Sequence, residues 1–139
     1  MHSFCFDVSL RISSMLLSPD EIANELGLVP KWKHVMGSQR KAPNGALLGG
    51  AYEINYCSFP LFSHKNEELH EMLDRITDEL ACHHNFFSHI TENKGRVEFF
   101  IGWYSNKNSG SCFSYKLLEK LGRLKINLAL DVYGEEFCK

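Results

Sequence analysis

The sequence predicts an α+β fold, a ferredoxin-like two-layer sandwich of two βαβ units with an extra bridging helix. Three observations carry the prediction. Residues 97 to 133 read as strand, serine-capped helix and strand, residues 4 to 56 read as a weaker copy of that unit, and a long amphipathic segment joins the two. In a chain of 139 residues, two such units fold most economically on one sheet. The expectation is one domain over residues 1–139, with βαβ units at 3–58 and 97–134 and the bridging helix at 66–83.

The first strand follows from Phe4, Phe6, Val8, Leu10 and Ile12 alternating with Cys5, Asp7, Ser9 and Arg11, the period of a half-buried strand. A helix start follows at Ser18. Its hydroxyl can cap the first turn, Pro19 suits the first helical position, and Asp20 and Glu21 complement the positive end of the helix dipole. Gly27 ends that helix and Pro30 prevents its resumption. From Val29 to Gly50 no apolar period survives, so residues 29–50 read as a long loop, and a loop of that length in a compact domain calls for a function or for disorder. Ala51 to Cys57 returns as the second strand.

Leu69, Met72, Leu73, Ile76 and Leu80 recur at spacings of three and four, opposite Glu68, Glu71, Arg75, Asp78 and Glu79, which predicts the bridging helix. From His84 to Gly95 the pattern fades into a connection. Val97, Phe99, Ile101 and Trp103 alternate with Glu98, Phe100, Gly102 and Tyr104, so this strand is largely apolar on both faces and belongs inside the sheet. Residues 105 to 110 are turn chemistry, Ser114 caps the last helix, and Ile126, Leu128, Leu130 and Val132 form the final strand.

Composition narrows the function. A formal charge of -2 supplies no basic footprint for a phosphate backbone, so nucleic acid is not expected as a partner. No stretch approaches membrane-spanning length and the first residues do not resemble a secretion signal, so a soluble cytoplasmic protein is expected. Five cysteines, Cys5, Cys57, Cys82, Cys112 and Cys138, are scattered without CxxC spacing and read as reduced thiols, with Cys138 the exposed one.

The pairing of Ser9-Leu-Arg-Ile-Ser13 with Leu17-Ser-Pro-Asp-Glu-Ile22 and Leu26-Gly-Leu-Val-Pro30, followed by Gly37, Arg40, residues 97 to 104 and Leu128-Ala-Leu-Asp-Val-Tyr133, resembles a bacterial domain-of-unknown-function family of about this length. The resemblance covers nearly the whole chain. It implies a small single-domain αβ protein with no catalytic residues assigned, of a kind sometimes similar to immunity proteins for bacterial toxins. Where the family tends to carry Gly-Trp, this chain has Gly50-Ala-Tyr52, a departure that bears on specificity if that aromatic contacts a ligand.

No catalytic residue is expected: there is no GxSxG elbow, no HExxH and no Gly-rich phosphate loop between a strand and a helix. No cofactor is expected, and no metal, because adjacent His83 and His84 point about 100° apart on a helix and cannot share an ion with Cys82 and His89. Two candidate partner-binding surfaces remain. The loop offers Trp32, Lys33, His34, Arg40 and Lys41, one large aromatic among donors suited to an acidic partner or an anion. The sheet face away from the helices offers Asp7, Arg11, Glu53, Asn55, Glu98 and Asp131, either a solvated ion-pair network or a docking surface. The leading expectation is a non-catalytic module that binds another protein, most concretely an immunity-type protein neutralising a toxin. The alternative is a sensor or minor enzyme binding a small molecule or anion in a pocket at loop 29–50. The sequence leaves a homodimer open.

Overall fold

The computed structural model describes residues 2–135. In chain order the elements are β1 (Cys5–Ser14), α1 (Pro19–Leu26), β2 (Trp32–His34), β3 (Gln39–Lys41), β4 (Leu47–Ala51), β5 (Asn55–Leu61), α2 (Leu69–Leu80), α3 (His84–Glu92), β6 (Arg96–Tyr104), α4 (Tyr115–Leu124) and β7 (Ile126–Tyr133). Among the described residues β2, β5, β1, β6 and β7 form one sheet in that order, and β3 and β4 form a separate hairpin. The α+β class therefore holds.

Local chemistry sets the helix ends as expected. Ser18 Oγ accepts from the Glu21 amide at 3.1 Å while Glu21 Oε1 accepts from the Ser18 amide at 3.3 Å, a reciprocal cap, and Gly27 closes the helix with φ 66°. Ser114 caps α4 through the Leu117 amide at 3.1 Å. One layer of core results. Val8, Leu10 and Ile12 of β1, Cys57 and Phe59 of β5, and Val97, Phe99 and Ile101 of β6 meet Ile22, Met72, Leu73, Phe87, Leu117 and Leu121 from the helices.

Three features differ from expectation. The second unit is a βαβ crossover, with β6 and β7 parallel around α4, but β1 and β5 of the first unit are antiparallel neighbours. A ferredoxin-like sheet interleaves its two units, whereas here each pair stays adjacent. Alternation reports which face a residue occupies and is blind to strand direction; the chain between Gly27 and Ile54 brings β5 back running opposite to β1.

The bridging helix expected at 66–83 is α2 from Leu69 to Leu80, and the connection expected after it is a second helix, α3, reached through the single 3-10 turn Ala81–His83. In α3 only Phe87 and Ile90 are buried, too few apolar positions to raise a helical period among His84, Asn85, Ser88 and His89. Loop 29–50 contains β2, β3 and β4. The hairpin strands are exposed throughout, so nothing in them alternates, and β2 owes its existence to pairing with the distant β5. No helix among the described residues is long and apolar enough to cross a membrane. Cys57, Cys82 and Cys112 are free, as expected, but Cys5 is disulfide-bonded; Cys138 lies outside the described residues.

Candidate functional site

Because side chains alternate along each strand, burying Leu10, Phe59 and Phe99 under the helices turns their neighbours to the other face. The register makes that face continuous. One row crosses all five strands as Trp32, Ser58, Arg11, Glu98 and Asn127, and a parallel row runs Asp7, Gly102 and Asp131. Trp32 and His34 thus belong to the open sheet face: the two surfaces expected from sequence meet at β2.

A groove of about 940 Å³ runs over this face, lined among others by Asp7, Arg11, Trp32, Tyr56, Phe62 and Tyr104. It has a structural origin. β5 stops at Leu61 opposite Val8, so its register with β1 begins there, and the space beside Phe6 and Asp7 that a longer β5 would fill is the groove. Arg11 forms no ion pair among the described residues. Its guanidinium lies 3.5 Å from the Phe100 ring centroid and its Nε donates to Ser9 Oγ at 3.3 Å, which holds the charge flat on the sheet. The expected network of Arg11 with the surrounding acids is absent because the ring of Phe100 takes it; Glu98 has Arg96 at 4.0 Å instead.

Beyond Arg11 lies a tyrosine pair. Tyr104 and Tyr133 stack with centroids 4.9 Å apart, the Tyr104 hydroxyl donates to Asp7 Oδ2 at 3.1 Å, and the Tyr133 hydroxyl donates to Asp131. Burial, and then the bond to Asp7, raises the Tyr104 phenol above its ordinary value; the bond to Asp131 raises that of Tyr133. Gly102 gives this cluster its room, since a Cβ there would sit 2.5 Å from Asp7 Oδ1 and 2.8 Å from the Tyr104 hydroxyl.

The far wall, residues 62 to 67, is held by Arg75. Its Nε and Nη2 donate to Glu67 Oε2 and Oε1, each at 2.8 Å, and Nη2 also donates to the Phe62 carbonyl at 3.0 Å. This fork, chiefly through its hydrogen bonds, pulls the Glu67 carboxyl down to about 2.

The expected loop residues divide. Trp32 is 45% exposed at the groove. Lys33 points to the other side and pairs with Asp20 at 2.9 Å. His34 stacks on Tyr52 at 3.6 Å and lies 5.1 Å from Tyr56, with its Nδ1 buried and unpartnered and its pKa lowered by burial. Arg40 donates to the Gly49 carbonyl at 3.3 Å, bracing the hairpin, and Lys41 bonds through its backbone to the Tyr52 hydroxyl at 3.3 Å. Tyr52, the residue at the family departure, is therefore an anchor for His34 and the hairpin.

Of the open-face set, Asp7, Arg11, Glu98 and Asp131 share the face. Asn55 does not: it is buried, aligns with Ser14, and its Oδ1 accepts from the Met36 amide at 2.8 Å. Glu53 precedes β5 and is exposed off the sheet. β5 starts at Asn55, four residues after the expected Ala51, and it turns Asn55, Cys57 and Phe59 to the core, one residue out of phase with the expected alternation, while Glu53 lies before the strand. Tyr56, Ser58 and Pro60 take that place, and their alternation with Cys57 and Phe59 was the available signal. Among the described residues the one cluster of possible metal ligands is Glu68, His70 and Glu71, whose two acids are already the reciprocal cap of α2. Cys82, His83, His84 and His89 form no such cluster there.

A family model described as a domain of unknown function, DUF4279, matches residues 3–135. No curated protein and no solved structure matches the chain.

Proposed function

On the premise that the chain belongs to the DUF4279 family of domains of unknown function, we propose that it is a cytoplasmic, non-catalytic module that binds another protein through the open sheet face. The observation that carries this reading is the groove where β5 stops short of β1. Its length of exposed strand, its aromatic walls and a guanidinium held flat suit an extended segment of a partner, which adds main-chain hydrogen bonds at a strand and anchors a side chain beside Trp32. Aromatic and arginine side chains dominate binding energy at such surfaces. In its concrete form, the module is an immunity-type protein that inserts this face into, or accepts a segment from, a toxin.

The test is affinity capture from the native host with mass spectrometry, using three baits. A stoichiometric protein is expected with the wild type and with Arg40→Ala, whose side chain only braces the hairpin, and is expected to be lost with the double variant Arg11→Ala, Trp32→Ala. Equal recovery by all three baits would overturn the assignment of the surface.

A second reading has its own observation. A cavity of about 660 Å³ between β2 and the hairpin is lined by Lys31, Lys33, Lys41 and Tyr52 with no carboxylate, in a chain of net negative charge. That lining suits a small phosphate-bearing anion rather than a protein. Trp32 also lines it while Trp103 is buried, so titration with pyrophosphate is expected to change the fluorescence of the wild type and to leave Lys31→Gln, Lys41→Gln unchanged. An unresponsive wild type would remove this reading.

A further inference from the structure

We propose that the groove takes an extended segment of the partner as a short antiparallel strand on β1, its main chain bonded to Phe6 and a lysine or arginine side chain set against Asp7. The inference rests on the functional reading above and names the partner's chemistry at the same site. Main-chain pairing supplies its frame. Lys31 donates its amide to the Ser58 carbonyl at 2.9 Å, so Ser58 directs its main chain to β2, while Cys57, Phe59 and Leu61 direct theirs to β1. Their partners Ile12, Leu10 and Val8 bond to β5 in turn, and the next residue of that set is Phe6. The other side agrees. Ser105 donates to the Tyr133 carbonyl at 3.1 Å, so Tyr104 and Gly102 turn to β1, where they meet Cys5 and Asp7 rather than Phe6. The register of β1 with β5 ends at Val8 and Leu61, which leaves the Phe6 amide and carbonyl unpaired among the described residues, on a strand interior to the sheet.

The notch is held open by the chain that leaves it. After Leu61 the backbone departs from the line of the sheet, with the Phe62 carbonyl accepting from Arg75 of α2 at 3.0 Å and Arg75 forked to Glu67. β5 is thereby kept from extending over Phe6. An open amide and carbonyl at the floor of a groove suit another main chain, because each is a strong hydrogen-bonding group and a strand offers both complements in one residue.

Alternation then fixes the side chains of the guest. The residue opposite Phe6 points to the helix side, where Phe6, Leu61 and Met72 line the groove, and is apolar. Its neighbour opposite Asp7 points to the open face. Asp7 directs its main chain to Gly102 of β6, so this second position is of the non-hydrogen-bonded kind, in which facing side chains lie closest. Asp7 accepts from the Tyr104 hydroxyl at 3.1 Å and forms no ion pair among the described residues, since Arg11, the cation of that face on the same strand, is held over Phe100. Asp131, across Gly102, adds a second carboxylate beyond it. A basic side chain is the complement to that position.

Selection from a displayed library of random peptides on the whole chain tests this, with Asp7→Asn and Asp7→Lys as parallel baits checked for folding by circular dichroism. The wild type is expected to select sequences in which lysine or arginine adjoins an apolar residue. A synthetic copy of a selected peptide is expected to bind Asp7→Asn more weakly and Asp7→Lys at least about tenfold more weakly, and Asp7→Lys is expected to select acidic residues instead. Unchanged affinity in folded Asp7→Asn would overturn the assignment of a basic side chain. Amide exchange followed by NMR reads the main chain: the Phe6 amide is expected to exchange fast in the chain alone and slowly with the peptide bound, the Asp7 amide slowly in both. Slow exchange at Phe6 in the chain alone would show the notch already filled, by this chain or a second copy, and would overturn the proposal. Peptides that bind while Phe6 stays fast would overturn the strand and leave the open-face reading standing, whereas a wild type that enriches no peptide would remove that reading and this inference with it.

Discussion

Phe99→Ala is expected to lower the stability of the fold by about 4 kcal/mol. Phe99 is fully buried on β6, flanked by Leu10 of β1 on one side and Leu128 of β7 on the other, beneath the helix layer. Truncation forfeits the transfer energy of the ring and leaves a cavity that two hydrogen-bonded neighbouring strands hinder from collapsing. Urea denaturation followed by circular dichroism measures the loss. The adjacent position supplies the control: Phe100 lies on the open face under Arg11, and its replacement by alanine is expected to cost about 1 kcal/mol, chiefly the cation–π contact. Equal losses at 99 and 100 would contradict a sheet with one covered and one open face.

The second large effect is expected in acid. The Glu67 carboxyl is held at about 2 against an ordinary 4.5 by its hydrogen bonds to Arg75, and at 10% side-chain exposure it is largely shielded from water. A carboxyl depressed in the folded state contributes stability that is complete above its unfolded value, here above about pH 5, and is lost as pH falls toward 2. The contribution is about 3 kcal/mol. Wild-type stability measured at pH 5 and again near pH 2 should therefore fall by about that much more than in Glu67→Gln, which has no proton to take up at this position. The same protonation weakens the fork between Glu67 and Arg75 that ties the far wall of the groove to α2, leaving Arg75 its bonds to the Phe62 carbonyl at 3.0 Å and to Glu79 at 3.2 Å. An equal acid loss in Glu67→Gln would show that the fork contributes nothing to folding.

Much of this protein is legible locally. The alternation of β1 and β6 and the caps at Ser18 and Ser114 report short-range physics, and they place those strands, α1 and α4 correctly. The same alternation puts Asp7, Arg11, Glu98 and Asp131 on one face without reference to the fold. Where one residue of phase was misread, at Glu53 and Asn55, the assignment inverted, because a strand has a period of two and no tolerance for a slip.

The site itself is a tertiary product. Trp32 and Arg11 come together because β2 pairs with β5 and β5 with β1, the groove exists because β5 ends opposite Val8, and its wall stands because Glu67 meets Arg75 across the bend that leads into α2. None of these has a local signature. The amino-acid sequence by itself determined which residues face a core and where helices begin, since periodicity and capping are energies between near neighbours. Strand direction, strand order and the convergence of side chains on the groove were decided only by the tertiary structure, since they depend on contacts between residues tens of positions apart whose energies no local pattern records.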